Sequence, residues 1–524
     1  MGIGKKPERM DNDPSLFFAM TLTGRHVSYW IDSTLPSSYP TLSQDVSVDV
    51  AIVGAGLAGV TTAKLLKQAG KTVALIEADR IGAGVSGHTT AKVAALQQLI
   101  YADLVKQHGQ EKARLFGESN RAAIARLADL VAAENIDCDF ERKTNYTFAT
   151  DADGLTKVKD EVEAAQSLGL PASFVASVDL PFPVTGAIMM PDEAQFHPRK
   201  FTLAIAATLP GDGSHVFEQT RVKTVEGEGP CRVITHNGPT VIAQDVVIAT
   251  NLPILDVGLY FAKTYPKRSY IVGGRIDPTQ APKDMYIGVG ENYRSIRSTP
   301  VDDGGTVLMV GGEGHKVGSE DQATDERFER LESYLRSTFG VEPEYRWSTQ
   351  DYISFDKLPY IGQLTPAHQH TFVATGFSLW GMAKSILSAM VLSDRILGIQ
   401  NPWADLYEST RPTPFVTSTS IQQNLEVGAH WVGDRLKGLF DSTDSVGPGE
   451  GKLVTHKGSK IAAYRDDSGQ LHTVSAVCPH LGCIVAWNQA EKSWDCPCHG
   501  SRFSCEGNIL HGPAVKPLEP KVCD

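Results

Sequence analysis

Long hydrophobic runs are missing from this chain of 524 residues. The most apolar stretch covers residues 372–397, and Lys384, Ser388 and Asp394 interrupt it. A membrane span needs about 20 predominantly apolar residues, so we expect a strand, a turn and a buried helix here. The N-terminus also lacks the apolar segment and cleavage site of a signal peptide. These absences predict a cytoplasmic protein without a membrane span.

Excess positive charge is missing as well, because 61 acidic residues against 49 Lys and Arg give a net charge of −12. Proteins that bind nucleic acid usually present a basic patch or stripe. We therefore expect no nucleic-acid partner.

Cysteines are scarce outside one short region. Five of the eight fall at positions 478, 483, 496, 498 and 505. Structural disulfides would be spread more widely along the chain. The clustering is typical of an intracellular protein with one local cysteine site.

The N-terminal part contains a strand–turn–helix pattern with three spaced glycines. A β-branched run leads into Gly54, Gly56 and Gly59, and a segment with helical spacing ends at Gly70. Gly54 permits a tight turn, Gly56 lets the backbone approach a pyrophosphate, and Gly59 lets helix and strand pack closely. A second strand ends at Glu77, where a carboxylate can accept hydrogen bonds from ribose hydroxyls. The pattern predicts a dinucleotide site, with a glycine-rich packing turn as the alternative.

A second nucleotide site of this kind is not evident in the sequence. The glycine-containing stretches 288–293 and 310–318 lack the amphipathic helix and the acid that must follow. We therefore expect electrons to come from an organic substrate rather than from NAD(P)H.

Three further motifs carry a family resemblance. They are a strand ending in Ala-Thr-Asn (243–253), an Asp-x-x-Pro-x-Ile-Gly sequence (356–362) and a Gly-x-Ser-x-Trp-Gly-Met turn (376–382) before a helix. Together they resemble the D-amino-acid-oxidase-like flavoprotein superfamily, of the glycine-oxidase and sarcosine-oxidase type. The resemblance covers roughly residues 30–410. The chain departs from the family at Asn251, where a glycine is usual, and in the loop that contains His88.

This resemblance implies FAD as a cofactor. The residues that it places at FAD are Gly54, Gly56, Gly59, Glu77, Ala78, His88, Thr89, Thr90, Val222, Thr250, Gly376, Gly381 and Met382. In some relatives a histidine in this loop carries the flavin covalently, and the alternative for His88 is a loop histidine held by hydrogen bonds. Lys92 is a candidate for a positive charge near the reduced flavin, or else a solvated helix lysine.

The resemblance also implies an α/β Rossmann-like FAD domain with an interleaved, strand-rich substrate domain. The predicted divisions are an N-terminal extension (1–29), the FAD domain (30–140, 195–255 and 350–410), the substrate domain (141–194 and 256–349), a connecting helix and linker (411–444) and a C-terminal domain (445–524). Prolines and glycines mark the linker. Turn signals at Lys457-Gly458 and Ser468-Gly469 predict hairpins in the C-terminal domain.

The cysteine-rich region combines thiolates with imidazoles. Cys478 and His480 form one pair, and Cys496 and His499 form a second pair further along. Zinc can use such ligands, but the additional cysteines at 483 and 498 argue against it.

The sequences Cys-x-His-Leu-Gly-Cys and Cys-Pro-Cys-His-Gly-Ser in this region resemble the Rieske [2Fe–2S] domain, which is all-β. By this resemblance Cys478 and Cys496 bind one iron, and His480 and His499 bind the other. Neutral imidazoles in place of two thiolates raise the reduction potential of the cluster, to roughly −150 to +300 mV. A reduced flavin can therefore pass electrons to it.

The same resemblance implies supporting features around the cluster. Cys483 and Cys498 would form a disulfide that ties the two ligand loops together. Ser501 would bond a cluster sulfide, and residues 512–518 would cover the cluster. A Rieske oxygenase is not expected, because none of the 15 histidines shows the spacing of a two-histidine, one-carboxylate iron site.

A flavin site followed by a Rieske site predicts an FAD-dependent dehydrogenase. We expect it to oxidise a small amine or amino acid at a C–N bond by hydride transfer to FAD, and to pass single electrons through the cluster to an external acceptor. Arg297 is a candidate to clamp a substrate carboxylate, with an exposed surface arginine as its alternative, and Trp380 lies in the predicted turn beside the flavin ring. Arg294, Tyr293 and Lys263 are further polar candidates.

Three alternatives to this function stay open. Electrons could run from the cluster to FAD in a reductase-type electron-transfer flavoprotein. The Rieske module could only stabilise the enzyme or dock a partner. The chain could be a non-catalytic binding protein.

Overall fold

The computed structural model of the protein describes residues 22–290, 292–317, 324–411 and 442–522. Most of the predicted connecting helix and linker therefore lies outside the described residues. The α-helices are α1 (Tyr29–Asp32), α2 (Leu57–Gln68), α3 (Tyr101–His108), α4 (Gln110–Ala133), α5 (Ala152–Ser167), α6 (Pro198–Ala207), α7 (Tyr260–Lys263), α8 (Thr324–Phe339), α9 (Gly381–Ile396) and α10 (Ala404–Tyr407).

The strands alternate with these helices up to residue 375 and then continue alone in the C-terminal region. They are β1 (Arg25–His26), β2 (Val46–Val53), β3 (Val73–Ile76), β4 (Lys92–Val93), β5 (Glu141–Ala149), β6 (Ser173–Val175), β7 (Gly186–Gln195), β8 (His215–Phe217), β9 (Val222–Glu226), β10 (Cys231–Thr235), β11 (Thr240–Ile248), β12 (Thr264–Ile276), β13 (Met285–Gly288), β14 (Arg294–Pro300), β15 (Thr306–Lys316), β16 (Tyr345–Ser354), β17 (Tyr360–Gln363), β18 (Thr371–Thr375), β19 (Glu450–His456), β20 (Ser459–Arg465), β21 (Leu471–Ser475), β22 (Ala486–Asn488), β23 (Ser493–Asp495), β24 (Arg502–Ser504) and β25 (Ile509–His511).

An eight-stranded sheet carries the predicted dinucleotide turn. Its order is β17-β18-β11-β2-β3-β8, with β10 and β9 added beside β11. Strand β2 pairs in parallel with both β3 and β11. Alternate side chains of β2 face opposite sides of the sheet, so Val50 and Ile52 pack against the helices and Ala51 and Val53 pack with β10 and β11. The strand, helix and second strand predicted around the glycines are confirmed.

A ten-stranded sheet forms the second layer. Its order is β1-β16-β12-β15-β14-β13-β5-β7-β4, with β6 beside β7. The strand-like runs predicted in the substrate domain lie in β12, β13 and β15. This sheet does not follow the predicted domain divisions everywhere: β16 runs across the division at residue 350, and two strands come from outside the expected substrate domain, β1 from the expected N-terminal extension and β4 from the expected FAD segment. Backbone pairing explains both, because β1 pairs with β16 and β4 with β7.

The C-terminal region is all-β, as the Rieske resemblance implies. It contains a three-stranded antiparallel sheet, β19–β21, and a four-stranded antiparallel sheet, β22–β25. The predicted hairpins at Lys457-Gly458 and Ser468-Gly469 are confirmed, since these dipeptides lie between β19 and β20 and between β20 and β21. No helix in the described ranges is long and apolar enough to cross a membrane.

Candidate functional site

The glycine turn between β2 and α2 has the predicted shape. Gly54 has a φ of +100°, and a Cβ there would lie 2.5 Å from the carbonyl oxygen of Ala249. A Cβ on Gly59 would lie 1.9 Å from the carbonyl oxygen of Gly54, so the helix packs directly on the turn. Gly56 caps α2 without a side-chain hydrogen bond. Oγ of Ser86 accepts a hydrogen bond from the N–H of Leu57 at 2.9 Å, and the partial positive charge of the helix N-terminus still favours a pyrophosphate there.

Glu77 is held at the end of β3 by the glycine turn itself. Its carboxylate accepts hydrogen bonds from the backbone N–H groups of Ala55 at 2.8 Å and Asp79 at 2.9 Å. Burial raises the pKa of Glu77. Each oxygen keeps a lone pair for a further donor, so a ribose hydroxyl can still bind.

A cavity, which we call the nucleotide cavity, runs past the carboxyl ends of the parallel strands, where ligands bind in sheets of this type. The predicted cofactor residues in its wall are Gly54, Gly56, Glu77, Ala78, Val222, Thr250, Gly381 and Met382. It extends from the glycine turn to the first turn of α9. The residues present therefore fit an extended dinucleotide.

The other predicted cofactor residues lie outside this wall. Gly59 packs under the turn, and a Cβ on Gly376 would lie 3.2 Å from the ring of Tyr360. Thr89 and Thr90 line a neighbouring cavity instead. Thr89 and Thr90 therefore belong to the cavity next to the nucleotide cavity.

His88 lines neither cavity. Its Nδ1 lies 2.9 Å from the carbonyl oxygen of Gly84, and its own carbonyl accepts a hydrogen bond from the indole of Trp347 at 3.0 Å. These contacts agree with a loop histidine held by hydrogen bonds, and covalent attachment of the flavin to His88 stays a prediction.

The neighbouring cavity, which we call the substrate cavity, adjoins the nucleotide cavity. The two share Val85, Asp351, Gly381 and Met382. Trp380 lies in the wall of the substrate cavity, one residue before α9, although its predicted catalytic role stays a prediction. The first turn of α9 begins at the junction, where the helix N-terminus favours negative charge.

Two lysines and one aspartate line the substrate cavity among the described residues. Lys267 on β12 has no hydrogen-bond partner among the described residues, and burial lowers its pKa. Lys92 is a buried residue of β4 rather than a solvated helix lysine; it donates to the carbonyl of Tyr286, and burial lowers its pKa well below the ordinary value. The carboxylate of Asp351 accepts backbone hydrogen bonds from Tyr352 and Leu379, and burial raises its pKa. The cavity thus offers partners for both signs of charge.

Arg297 requires a correction. It is 1% exposed and belongs to the wall of neither cavity. Its Nη1 donates to the carbonyl oxygens of Thr90 and Ala91 at 3.1 Å and of Phe196 at 3.4 Å. Backbone carbonyls therefore hold the guanidinium inside the protein, and it neither reaches a substrate nor lies on the surface.

The other polar candidates divide between the cavity and the surrounding structure. Tyr293 lines the substrate cavity. Arg294 forms an ion pair with Glu313 at 2.7 Å, and the ammonium group of Lys263 lies 4.7 Å from the ring centre of Tyr260. Neither of these two cations lines either cavity.

The four predicted cluster ligands meet at the tip of the C-terminal region. The rings of His480 and His499 lie 4.9 Å apart, and the Nδ1 atom of each is buried without a partner among the described residues. A hydrogen bond with Cys496 lowers the pKa of Cys478 to about 7. Burial lowers the pKa of His499 to about 3, so its imidazole is neutral, as a metal ligand must be. The donor set fits a Rieske cluster.

Cys483 and Cys498 form a disulfide, with Cα atoms 6.5 Å apart, as the resemblance implies. The sulfur atoms of Cys483, Cys496 and Cys498 also lie within 4.8 Å of one another, which is close enough for a metal site. Two of these sulfurs are joined to each other and carry no thiolate charge. The ligand set therefore stays with Cys478, Cys496 and the two histidines.

The segment that covers the predicted cluster also reaches the nucleotide cavity. The backbone N–H of Ala514 donates to Oγ of Ser501 at 3.0 Å, which fixes the segment over the ligand loops. Gly512, Ala514 and Val515 of this segment line the nucleotide cavity, together with Leu510 and His511 of the preceding strand β25. One segment thus contacts both predicted cofactor sites.

A two-stranded wall, β12 with β16, separates the substrate cavity from the cluster loops. In the backbone register of these two strands, Lys267 lies opposite Asp351, and Arg268 lies opposite Gln350. Lys267 and Asp351 line the substrate cavity. Gln350, on the other face, donates to the carbonyl of Gly500 at 2.7 Å. One face of the wall therefore lines the substrate cavity, and the other contacts the C-terminal domain.

Tyr352, at the end of the wall, bonds directly to the cluster loops. Its hydroxyl donates to the carbonyl oxygen of His499 at 3.0 Å and lies 3.4 Å from that of Gly512. Its ring stacks on His511, with ring centres 6.3 Å apart. Tyr352 thus joins a cluster ligand to a residue that lines the nucleotide cavity.

A buried ion network fastens the same interface. Arg268 lies 2.8 Å from Glu491 and 3.1 Å from Asp495. Arg502 pairs with both acids. Burial opposes the charge on Glu491, but Arg502 and Arg268 hold its pKa well below the ordinary value. The network keeps these charges paired inside the protein.

Comparison with known families settles what these two sites are. A family model described as FAD dependent oxidoreductase matches residues 49–395, and one described as Rieske [2Fe-2S] domain matches residues 439–521. The chain belongs to the FAD-dependent oxidoreductase family. It is an oxidoreductase with FAD and a Rieske [2Fe–2S] cluster as its cofactors.

Several relatives of this FAD-dependent oxidoreductase support the assignment. YhfW of Bacillus subtilis, named as a Rieske 2Fe-2S iron-sulfur protein, is 35% identical over 94% of this chain and 97% of its own length. Gamma-glutamylputrescine oxidoreductase of Escherichia coli is 24% identical over 69% of this chain and 86% of its own. Glycine oxidase of Geobacillus kaustophilus shares the fold, with a TM-score of 0.59 and 20% identity over 70% of this chain and 99% of its own.

Several residues at the two sites were not identified from the sequence. They are Lys267, Asp351, Tyr352 and His511. A signal was present in the strands, because runs of consecutive polar residues at 267–269 and 349–351 interrupt segments otherwise rich in β-forming residues, and consecutive residues of a strand face opposite sides of the sheet. His511 had no signal of this kind, since its role depends on how the two domains meet.

Proposed function

We propose that this protein is a dehydrogenase that oxidises an amine or amino acid at a C–N bond and passes the electrons singly through the Rieske cluster to an external acceptor. FAD, held at the glycine turn and Glu77, would supply a hydride acceptor for the α-carbon of the substrate, and the cluster, held by Cys478, His480, Cys496 and His499, would supply a one-electron acceptor. The observation that carries the proposal is the wall formed by β12 and β16. It has the substrate cavity on one face and the cluster loops on the other.

The charges in the substrate cavity support an amino-acid-like substrate. Lys267 can pair with a carboxylate, since its ammonium group has no partner among the described residues. Asp351 lies at the junction of the two cavities, where it can pair with the substrate amine and take its proton. A raised pKa suits a carboxylate to proton transfer, and burial raises that of Asp351.

The apolar side chains of the cavity restrict water. Ile271, Ile287, Leu379 and Trp380 contribute to its wall. Removing water strengthens the interactions of Lys267 and Asp351 with a bound substrate. The chain thus orients the substrate with two charges and shields the reacting carbon with apolar groups.

The contacts on the far face of the wall support electron exit through the cluster. Tyr352 donates to the carbonyl of His499, and His511 lines the nucleotide cavity. Both cofactor sites therefore touch the same few residues. The names of two relatives agree with the proposed substrate class, since they describe a glycine oxidase and a gamma-glutamylputrescine oxidoreductase.

The test is an anaerobic screen of the purified holoenzyme for bleaching of the flavin absorbance. Amino acids, N-methyl amino acids and primary amines form one set, and hydroxy acids of matching carbon skeleton form the control set. We expect bleaching by at least one amine and none by its hydroxy analogue. NADH forms a third arm. Bleaching by NADH, with none by any amine, would support the reductase-type flavoprotein and contradict the proposal.

A further inference from the structure

The flavoprotein part places a carboxylate on one of the cluster ligands. Asp256 lies in a 3-10 turn, Asp256–Gly258, in the segment after β11. Its Oδ1 lies 2.7 Å from Nε2 of His480. The side chain of His480 is only 5% exposed, whereas that of Asp256 is 46% exposed. The contact therefore closes the outer edge of the imidazole with a group from the other domain.

The two ring nitrogens of His480 have separate roles in this arrangement. Nδ1 is buried and has no partner among the described residues, which leaves it to the metal. Nε2 then carries the proton and donates it to Asp256. A carboxylate that accepts the second ring N–H of a metal-bound histidine fixes the tautomer and orientation of the ring and makes it a more basic ligand.

The second histidine ligand, His499, has different neighbours. Phe261 packs edge-on against both imidazoles, with ring centres 5.7 Å from His480 and 4.9 Å from His499. His499 has no carboxylate partner in the parts of the chain that the structure describes. Asp256 thus forms a hydrogen bond with His480 alone, whereas Phe261, in the helix α7 that follows the turn, packs against both rings.

We propose that Asp256 is a positioning residue of the Rieske centre, which orients His480 and lowers the reduction potential of the cluster by stabilising its oxidised, more positive state. The flavoprotein part thereby sets the potential of the centre to which the flavin passes its electrons. This inference rests on the Rieske centre and not on the identity of the organic substrate. It can therefore stand if amine oxidation is disproved.

The experiment is a redox titration of the holoenzyme, with the EPR signal of the reduced cluster as the readout. In Asp256→Asn the charge is lost and the shape is kept. We expect the ratio of reduced to oxidised cluster at a fixed potential to rise about tenfold, which corresponds to about 59 mV for a one-electron couple. The signal counts only molecules that hold a cluster, so partial loss of iron does not obscure the result.

Two variants serve as controls. Asp256→Glu keeps the charge and should return the ratio to within about twofold of the parent protein. Asp245→Asn removes the carboxylate of a comparable pair, Asp245 with His370 at 2.8 Å, which does not involve a cluster ligand, and should leave the ratio unchanged. The proposal is overturned if Asp256→Asn behaves like Asp245→Asn, or if Asp256→Glu shifts the ratio as far as Asp256→Asn does.

Discussion

Lys267 is partly buried, and an ionised amine loses hydration there without a protein partner to replace it. It faces the substrate cavity, burial lowers its pKa, and none of the described residues accepts a hydrogen bond from it. A substrate carboxylate would supply the missing counter-charge. Lys267 is therefore the residue at which the substrate class can be tested.

In Lys267→Gln the ammonium group is lost, and we expect KM for a carboxylate-bearing amine to rise about 10- to 100-fold, since a hydrogen bond to a charged group is worth about 1.5–3 kcal/mol. Steady-state kinetics with an artificial acceptor measure the effect. The exposed Lys283→Gln is the matched control and should leave KM unchanged. An equal loss with an amine that lacks a carboxylate would contradict the assigned role.

The pH dependence of kcat/KM in the parent enzyme should also report the charge of Lys267. Because burial lowers the pKa of Lys267, its positive charge is present at low pH and is lost as pH rises through this lowered value. We expect kcat/KM to fall on the alkaline side below the pH at which an ordinary lysine titrates, and this fall to be absent in Lys267→Gln.

Single residues differ in how far the sequence predicts them. Gly54 and Glu77 are predicted from spacing, because a turn and a bound dinucleotide impose fixed local geometry, whereas the cluster ligands are predicted from the Rieske resemblance. The role of Arg297 is not predicted in this way, since a guanidinium can bind either a carboxylate or backbone carbonyls. The sequence does not show which of these acceptors lies near it in the fold. Asn251 shows the same limit: its amide reaches the carbonyl of Gln350 at 3.2 Å and the ring of His511 at 3.4 Å, so the departure from glycine makes contact with the Rieske domain.

At the scale of elements, β12 carries two functions on opposite faces. Lys267 faces the substrate cavity, and its neighbour Arg268 enters the buried ion network with Glu491 and Asp495. Arg502 completes the network from β24. Breaking a buried ion pair from one side leaves an uncompensated charge, so this network should govern how firmly the Rieske domain is held.

Glu491→Gln should destabilise the Rieske domain by about 3–5 kcal/mol, because it leaves Arg268 and Arg502 with too little negative charge in a buried site. Urea unfolding followed by the visible circular dichroism of the cluster measures this loss. Glu111→Gln, which breaks the exposed ion pair with Arg114, is the control and should have little effect. Equal urea midpoints for the two variants would show that the network does not hold the domain.

Most elements are accessible from periodicity and turn residues, and β2, α2, α9 and the C-terminal hairpins occur where the sequence predicts them. The exceptions are short strands made by pairing rather than by propensity. Lys92 and Val93 form β4 because they lie beside Gln195 and Ala194 of β7. Nothing in their local sequence distinguishes them from a loop or a helix start.

At the scale of the whole molecule, the two redox sites share one interface. Tyr352 of the flavoprotein part bonds the carbonyl of His499, and His511 of the Rieske domain lines the nucleotide cavity. Partners this far apart in sequence leave no joint pattern in a single chain. The motifs therefore predict two cofactors, but the position of both cofactor sites at one interface is seen only in the fold.

The central claim is that electrons taken from the substrate pass to the cluster of the same chain. The direct test mixes the anaerobic holoenzyme rapidly with an amine that bleaches the flavin, and follows flavin absorbance and the EPR signal of the reduced cluster in time. The account predicts that the cluster becomes reduced after the flavin at a rate independent of protein concentration. A flavin that bleaches while the cluster stays oxidised, or a cluster rate proportional to protein concentration, would contradict it.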